Sequence, residues 1–455
     1  MVSCATPRFS RDMTLHDYLE PLKGRDRGFL LEHFCAGVAG RKVSLESIFT
    51  PGELDWMFDQ ISRKREAATH YGAQERMTWR RDHLTSEEVA GIRRPRVDEL
   101  TAKRLLKVPA STCSTIARWP DGRRFAICVT HDMDHISSYN GIEPWRRLRR
   151  MWTARSGPHL RYALEIGRAL RSSAGAIVRR HVLRSPDRTA GVSEWMKLED
   201  SFGFKSTFFF FPSRSGAWHA SDCTYTFFDK APLDGHLMPV RQVMRHVAGA
   251  GWEVGLHPSY YSATSSKWLQ SQKRACEEAI QKEVVSVRQH TLQYDPVLTP
   301  VLQAQAGLCV DSTQGFNDLI GFRAGTLFPY LNWDWQGNTT MPLLEIPLHI
   351  QDGPLLRGST SIDEAIADCV GMLEDAERVG GCLVILFHPY HLATDAGSAV
   401  FKAVLEESKA RNAWGCSVQQ LAHWWLKRTH QILCSQEDSG KGCTADSQSC
   451  EEPRR

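Results

Sequence analysis

The chain has 455 residues, 42% hydrophobic, 24% charged and 9% aromatic, with 33 Gly and 21 Pro, which excludes collagen, a coiled coil and a disordered chain. Lys+Arg 56 against Asp+Glu 52 leaves a net charge of +4, too near balance to mark a nucleic-acid protein. Its 13 cysteines are scattered without a C-x-x-C pair, so neither a disulfide framework nor a zinc knuckle is suggested and the thiols are expected outside the functional site.

The opening residues carry no apolar run of the signal-peptide kind, and no stretch approaches the roughly 20 apolar residues that span a bilayer, so a cytoplasmic location is expected. Residues 1–120 read as helices joined by short loops. Ser44 and Thr85 place hydroxyls before acidic first turns, and Leu30, Leu31, Phe34 and Val38 share one helical stripe. No residue set there carries chemistry, so packing, partner binding or a lid is the expected role. At Phe125 the pattern changes to short apolar runs, at 125–130, 206–211, 253–256, 343–348 and 382–387. Helical stretches at 192–201, 267–285 and 361–378 separate them. This alternation predicts an α/β fold over 121–431, a parallel sheet covered on both faces or a barrel. The stretch from Arg146 to Arg184 is dense in arginine and opposed only by Glu165. It reads either as a solvated helical insertion or as a basic face for anionic membrane lipid or a lipid-linked glycan. No aromatics are interleaved as a single-strand groove needs, so no nucleic-acid partner is expected. Residues 417–428 suggest an amphipathic closing helix, and the polar segment 432–455 is expected to be disordered.

In parallel α/β folds chemistry gathers just beyond the carboxyl ends of strands. Those places are polar here: His131-Asp132-Met133-Asp134-His135, His257-Pro258-Ser259-Tyr260 and His388-Pro389-Tyr390-His391 come after apolar runs, and Arg288-Gln289-His290 comes after the helix expected to end near Val287. Asp132 and Asp134 lie two apart in extended backbone and point the same way. Two carboxylates held together repel; a divalent cation on one removes the conflict and leaves the other free to take a proton. His257 adds an imidazole from another strand end, and His388 is placed to give a proton to a leaving amine.

The ordered set Thr130-His-Asp-Met-Asp134, Gly251-Trp-Glu-Val-Gly-Leu-His257-Pro-Ser, Val287-Arg-Gln-His290, Val310-Asp-Ser-Thr313 and Leu386-Phe-His388 resembles the NodB-type polysaccharide deacetylases of the carbohydrate esterase 4 group, over about residues 121–428. Residues 195–210 look like that family's helix, glycine turn and second strand. The resemblance implies a distorted (β/α)7-type barrel and a metal-dependent hydrolase that removes acetyl groups from an N-acetylated sugar of a polysaccharide or glycoconjugate precursor. It implies Asp132 as general base, Asp134 and His257 as metal ligands, Arg288 as the brace of the base and His388 as general acid. The implied cofactor is a divalent metal ion, zinc first, with cobalt, nickel or manganese as alternatives. One departure stands out: the family's second histidine, four positions past His257, is here Tyr261. His290 is the replacement ligand to expect, with a substrate contact as its other reading. Arg323 in Gly321-Phe-Arg-Ala-Gly-Thr326 suits contact with a sugar or its phosphate, or else a structural salt bridge, and Asp311 is a candidate partner for such an arginine. Tyr260, Trp218 and the tryptophans at 333 and 335 are candidates to stack on sugar rings. The alternative reading, prompted by Tyr261, is a non-catalytic glycan-binding or scaffold protein on the same barrel.

Overall fold

Runs of β-branched and aromatic residues bounded by glycine or polar turns become the strands of one long ladder. The computed structural model describes residues 13–68, 83–106, 116–136, 191–212 and 221–434, with isolated positions between. The expectations for Arg146–Arg184, Trp218 and 435–455 fall outside these residues or on scattered positions among them. In chain order the described strands are β1 (Phe125–Met133), β2 (Thr207–Phe210), β3 (Lys230–Leu233), β4 (His236–Pro239), β5 (Glu253–Leu256), β6 (Ser286–Val287), β7 (Val310–Asp311), β8 (Tyr330–Asp334), β9 (Thr339–Glu345), β10 (Ile350–Gln351), β11 (Cys382–Leu386) and β12 (Ala413–Cys416).

The ladder runs β10-β11-β1-β2-β5-β6-β7-β9-β8, with β12 also on β1, and only the β8/β9 pair is antiparallel. The expected α/β fold with a mainly parallel sheet is therefore present. The ladder ends at β10 and β8, so hydrogen bonds do not close the barrel among the described residues. β3 and β4 form a separate hairpin, whose turn residues Asp234 (φ 47°) and Gly235 (φ 78°) have the left-handed pair that such tight turns need.

Register fixes the site's level. Met133, Phe210, Leu256, Val287 and Asp311 are successive lateral partners across five parallel strands. The residues one step beyond them, including Asp134, His257 and Arg288, therefore emerge along one rim. On the other side of β1, Thr130 pairs with Leu386, which brings His388 to the level of Asp132.

Two expected boundaries change. The helix foreseen at 267–285 ends at Ile280, where Gln281 turns left-handed (φ 57°), and the valine-rich residues after it make β6. Arg288-Gln289-His290 thus comes after a strand, as the other rim residues do. The closing helix is longer than expected and runs Val418–Cys434, three residues into the segment expected to be disordered.

The expected amino-terminal helices form: α1 (Leu15–Leu19), α2 (Arg27–Ala39), α3 (Leu45–Ile48), α4 (Pro51–Ile61), α5 (Lys64–Ala67), α6 (Ser86–Gly91) and α7 (Arg96–Leu105). Thr85 caps α6 reciprocally with Glu88, as does Thr50 with Glu53 for α4. Leu30, Leu31, Phe34 and Val38 are buried and belong to the same apolar cluster as β1, β11 and the closing helix. Gly37 admits Trp425 of the closing helix: a Cβ there would lie 2.9 Å from its Cη2. Backbone bonds between Gly24, Arg25 and Thr340 cover part of β9, which would otherwise present open donors and acceptors. No helix among the described residues is long and apolar enough to cross a membrane.

Candidate active site

β1 is buried along all nine residues, so its carboxyl end delivers charged groups from a fully desolvated strand. Asp132 is 3% exposed and faces Arg288 Nη1 at 3.4 Å. Arg288 is itself fully buried. It donates from Nε and Nη2 to the carbonyl and hydroxyl of Ser312 (both 2.8 Å) and from Nη1 to Thr130 Oγ1 (2.6 Å), and its guanidinium lies over the Phe209 ring. Burial lowers its pKa against the pull of Asp132, but an arginine keeps its charge through such a shift. A guanidinium fixed this firmly holds the Asp132 side chain in place.

Asp134 collects the histidines. Its Oδ1 lies 3.2 Å from His257 Nε2 and 3.5 Å from His290 Nδ1, and its Oδ2 lies 3.6 Å from His388 Nε2. Burial would raise its pKa, but these imidazoles outweigh burial and hold it far below the usual carboxylate range. His257 Nδ1 sits 2.7 Å from the Arg288 carbonyl and His290 Nε2 sits 2.8 Å from the Ser221 carbonyl. A carbonyl only accepts, so both of those nitrogens carry the proton. In their neutral forms His257 Nε2 and His290 Nδ1 then face each other as acceptors across 2.9 Å, beside a carboxylate that raises the His257 pKa against its burial, and a proton on His257 Nε2 or a cation between the rings satisfies both.

A divalent ion fits the space. Sides of 2.9, 3.2 and 3.5 Å define a triangle with a circumradius of about 1.9 Å, so a point about 1 Å off its plane lies about 2.1 Å from all three atoms, a normal metal–ligand distance. The carbonyl bonds on the far ring nitrogens are the outer support that ligand histidines ordinarily have. His290, the residue expected in place of the absent second-motif histidine, is one corner of this triangle. Tyr261, by contrast, is 37% exposed and packs on His219, Tyr260 and Trp268.

His388 approaches from the opposite side. Its Nδ1 is 2.8 Å from Asp352 Oδ1 and its backbone N–H donates to Oδ2 of the same carboxylate. Burial alone would push the ring down; Asp352, Asp134 and Asp132 reverse this and hold its pKa at about 9. Asp352 is in turn held at about 2 by His388 and His391 against the upward push of its burial. Sequence reasoning missed Asp352 because β10 is two residues long and shows no periodicity, although Asp352 stands directly after that strand, at the kind of position where rim chemistry gathers.

Three expectations are corrected. Arg323 does not face this rim: its Nη2 and Nε bind Glu66 of α5 at 2.6 and 3.1 Å and its Nη1 binds the Gly315 carbonyl, which is the structural salt-bridge reading. Among the described residues Asp311 does not meet an arginine side chain in a hydrogen bond. It is fully buried beside Glu345, its lateral neighbour on β9, and burial pushes Asp311 to about 6 and Glu345 well above its ordinary value, so the pair retains a proton. Trp333 and Trp335 pack on Phe58 of α4 rather than at the rim. Tyr260 does remain near the rim, half-buried and stacked on His219 at 3.9 Å, with its N–H donating to Asp222 Oδ1. The cysteine expectation also changes, because Cys223 Sγ lies 3.6 Å from Asp134 Oδ1.

No family model matches the chain, and no curated protein matches it by sequence. Among solved structures it is similar to a chain described as a polysaccharide deacetylase from Mycobacterium smegmatis, with TM-score 0.44, 20% identity and coverage of 70% of this chain and 93% of that one. It is also similar to Puue allantoinase (TM-score 0.43, 15% identity, coverage 70% and 97%). A third, described as a polysaccharide deacetylase from Pseudomonas aeruginosa PAO1, has TM-score 0.43 and 14% identity, with coverage 70% and 98%.

Proposed function

We propose that the chain is a metal-dependent hydrolase that removes acetyl groups from an N-acetylated sugar. The observation that carries this reading is the pair of imidazole nitrogens 2.9 Å apart beside Asp134, flanked by a braced carboxylate and a cationic imidazole. Asp134, His257 and His290 would hold the ion. Bound there, a divalent cation supplies Lewis acidity to the acetamide carbonyl and acidity to a neighbouring water. Asp132, positioned by Arg288, accepts the proton of the water that attacks the carbonyl carbon. His388, charged through Asp352, donates its Nε2 proton to the sugar nitrogen as the C–N bond breaks, so that acetate and free amine leave. Tyr260 offers a ring face beside the rim on which a sugar can lie.

The test is acetate release from a panel of N-acetylated amino sugars by the full chain loaded with zinc, cobalt, nickel or manganese. Release is expected, with a loss of about 10²- to 10⁴-fold in Asp132→Asn. Metal-loaded protein that releases acetate from no member of the panel overturns the reading.

A further inference from the structure

His219 and residues 221–225 meet the rim through both backbone and side chain. Asp222 accepts N–H groups of His219 (2.9 Å) and Tyr260 (2.8 Å), and Tyr225 accepts the N–H of Phe211 at 2.8 Å, which pins these residues to the ends of β2 and β5. The Ser221 carbonyl fixes the tautomer of His290. Two residues on, Cys223 is 4% exposed, and its Sγ lies 3.6 Å from Asp134 Oδ1. One ligand atom each from Asp134, Cys223 and His290 lie within 4.8 Å of one another.

Asp134 and His290 therefore belong to two overlapping sets, one completed by His257 and one by Cys223. With a metal–sulfur bond of about 2.3 Å and a metal–oxygen bond of about 2.0 Å at a tetrahedral angle, sulfur and oxygen stand about 3.5 Å apart. The observed 3.6 Å matches that separation.

We propose that Cys223 is a thiolate ligand of the cation held by Asp134 and His290, which makes this a mixed carboxylate, imidazole and thiolate site. The inference rests on the cation site proposed above and gives Asp134 and His290 a thiolate partner in it. When the sulfur binds, the thiol proton passes to solvent. A thiolate biases the site to borderline ions such as zinc and cobalt(II) and against magnesium, manganese and calcium, which prefer all-oxygen shells.

The full chain is loaded with cobalt(II) and its absorption spectrum compared with that of Cys223→Ser and Cys223→Ala, with near-ultraviolet circular dichroism as the check on folding. The expected result is visible d–d bands together with a near-ultraviolet sulfur-to-cobalt charge-transfer band in the parent. Both variants should keep the d–d bands, lose the charge-transfer band and bind zinc about tenfold or more weakly. Parent protein that shows d–d bands without the charge-transfer band overturns the thiolate and leaves the deacetylase reading standing. A band that persists in the folded variants also overturns it, since another sulfur would be its source. Protein that binds no cobalt overturns both.

Discussion

At the scale of single residues, the pair Asp352 and His388 makes the clearest prediction. His388 titrates ordinarily near 6.5 and is held at about 9 in the fold, so its acid form is present below that value and is lost as pH rises through it. The alkaline limb of the rate profile therefore belongs to this ring, and Asp352→Asn, which removes its main charge partner, should move that limb to lower pH. Acetate release measured across pH 6–10 checks this. The same pairing has a stability signature: the contribution from His388 is complete below about pH 6.5 and fades as pH approaches about 9, while that from Asp352 is present above about 3.8 and fades as pH falls toward about 2. Asp132, Asp134, His257 and His388 were legible in the sequence because each closes or succeeds an apolar run, where side-chain direction is dictated by the strand. His290 was legible only as a candidate, since nothing in the sequence tells which carbonyl fixes its tautomer. Cys223 left no signal, because it sits on a loop with neither period nor motif.

At the scale of elements, strand packing is tightest where it sets the ligand His257. Gly255 on β5 lies against Phe209 of β2, and a Cβ at that position would also stand 2.8 Å from Ser286 Oγ on β6. Gly255→Ala should cost about 1–3 kcal/mol by overpacking and should weaken zinc binding, because β5 carries His257 two residues later. Chemical denaturation and a zinc titration read the two effects separately. The ion cluster of Arg63, Glu66 and Arg323 ties α5 to the loop after β7, with all three side chains buried. Removing its one carboxylate in Glu66→Ala leaves two buried guanidinium groups facing each other, with an expected loss of about 3–5 kcal/mol by chemical denaturation. Long elements such as β1 and the helix Ile362–Val379 announced themselves through burial and period. β6, β7 and β10, each two residues long, carry no period at all, and their sites were found through polar residues or missed.

At the scale of the molecule, residues 1–120 are expected as a helical region beside the barrel, and apolar side chains of its described helices join the cluster that contains β1 and the closing helix. A second buried cluster lies around β2 and β5, and β1 and β2 contribute residues to both clusters, so one transition is expected. Phe34→Ala in α2, a truncation of about 3–5 kcal/mol, should lower the melting of the sheet and the helices together, with far- and near-ultraviolet signals coinciding. Two separated transitions would show that the helices melt alone.

The strand order has a further consequence during synthesis. β1 is flanked by β2 on one side but by β11 and β12 on the other, so one edge of its nine buried residues waits from Met133 until Cys382 has been made. At about 5–20 residues per second, the roughly 250 intervening residues take about 12–50 s to emerge. Through that interval an apolar strand with an open edge, already bearing Asp132 and Asp134, stands exposed beside the ribosome. Slower translation between these points lengthens the interval, so the yield of soluble protein should fall with it.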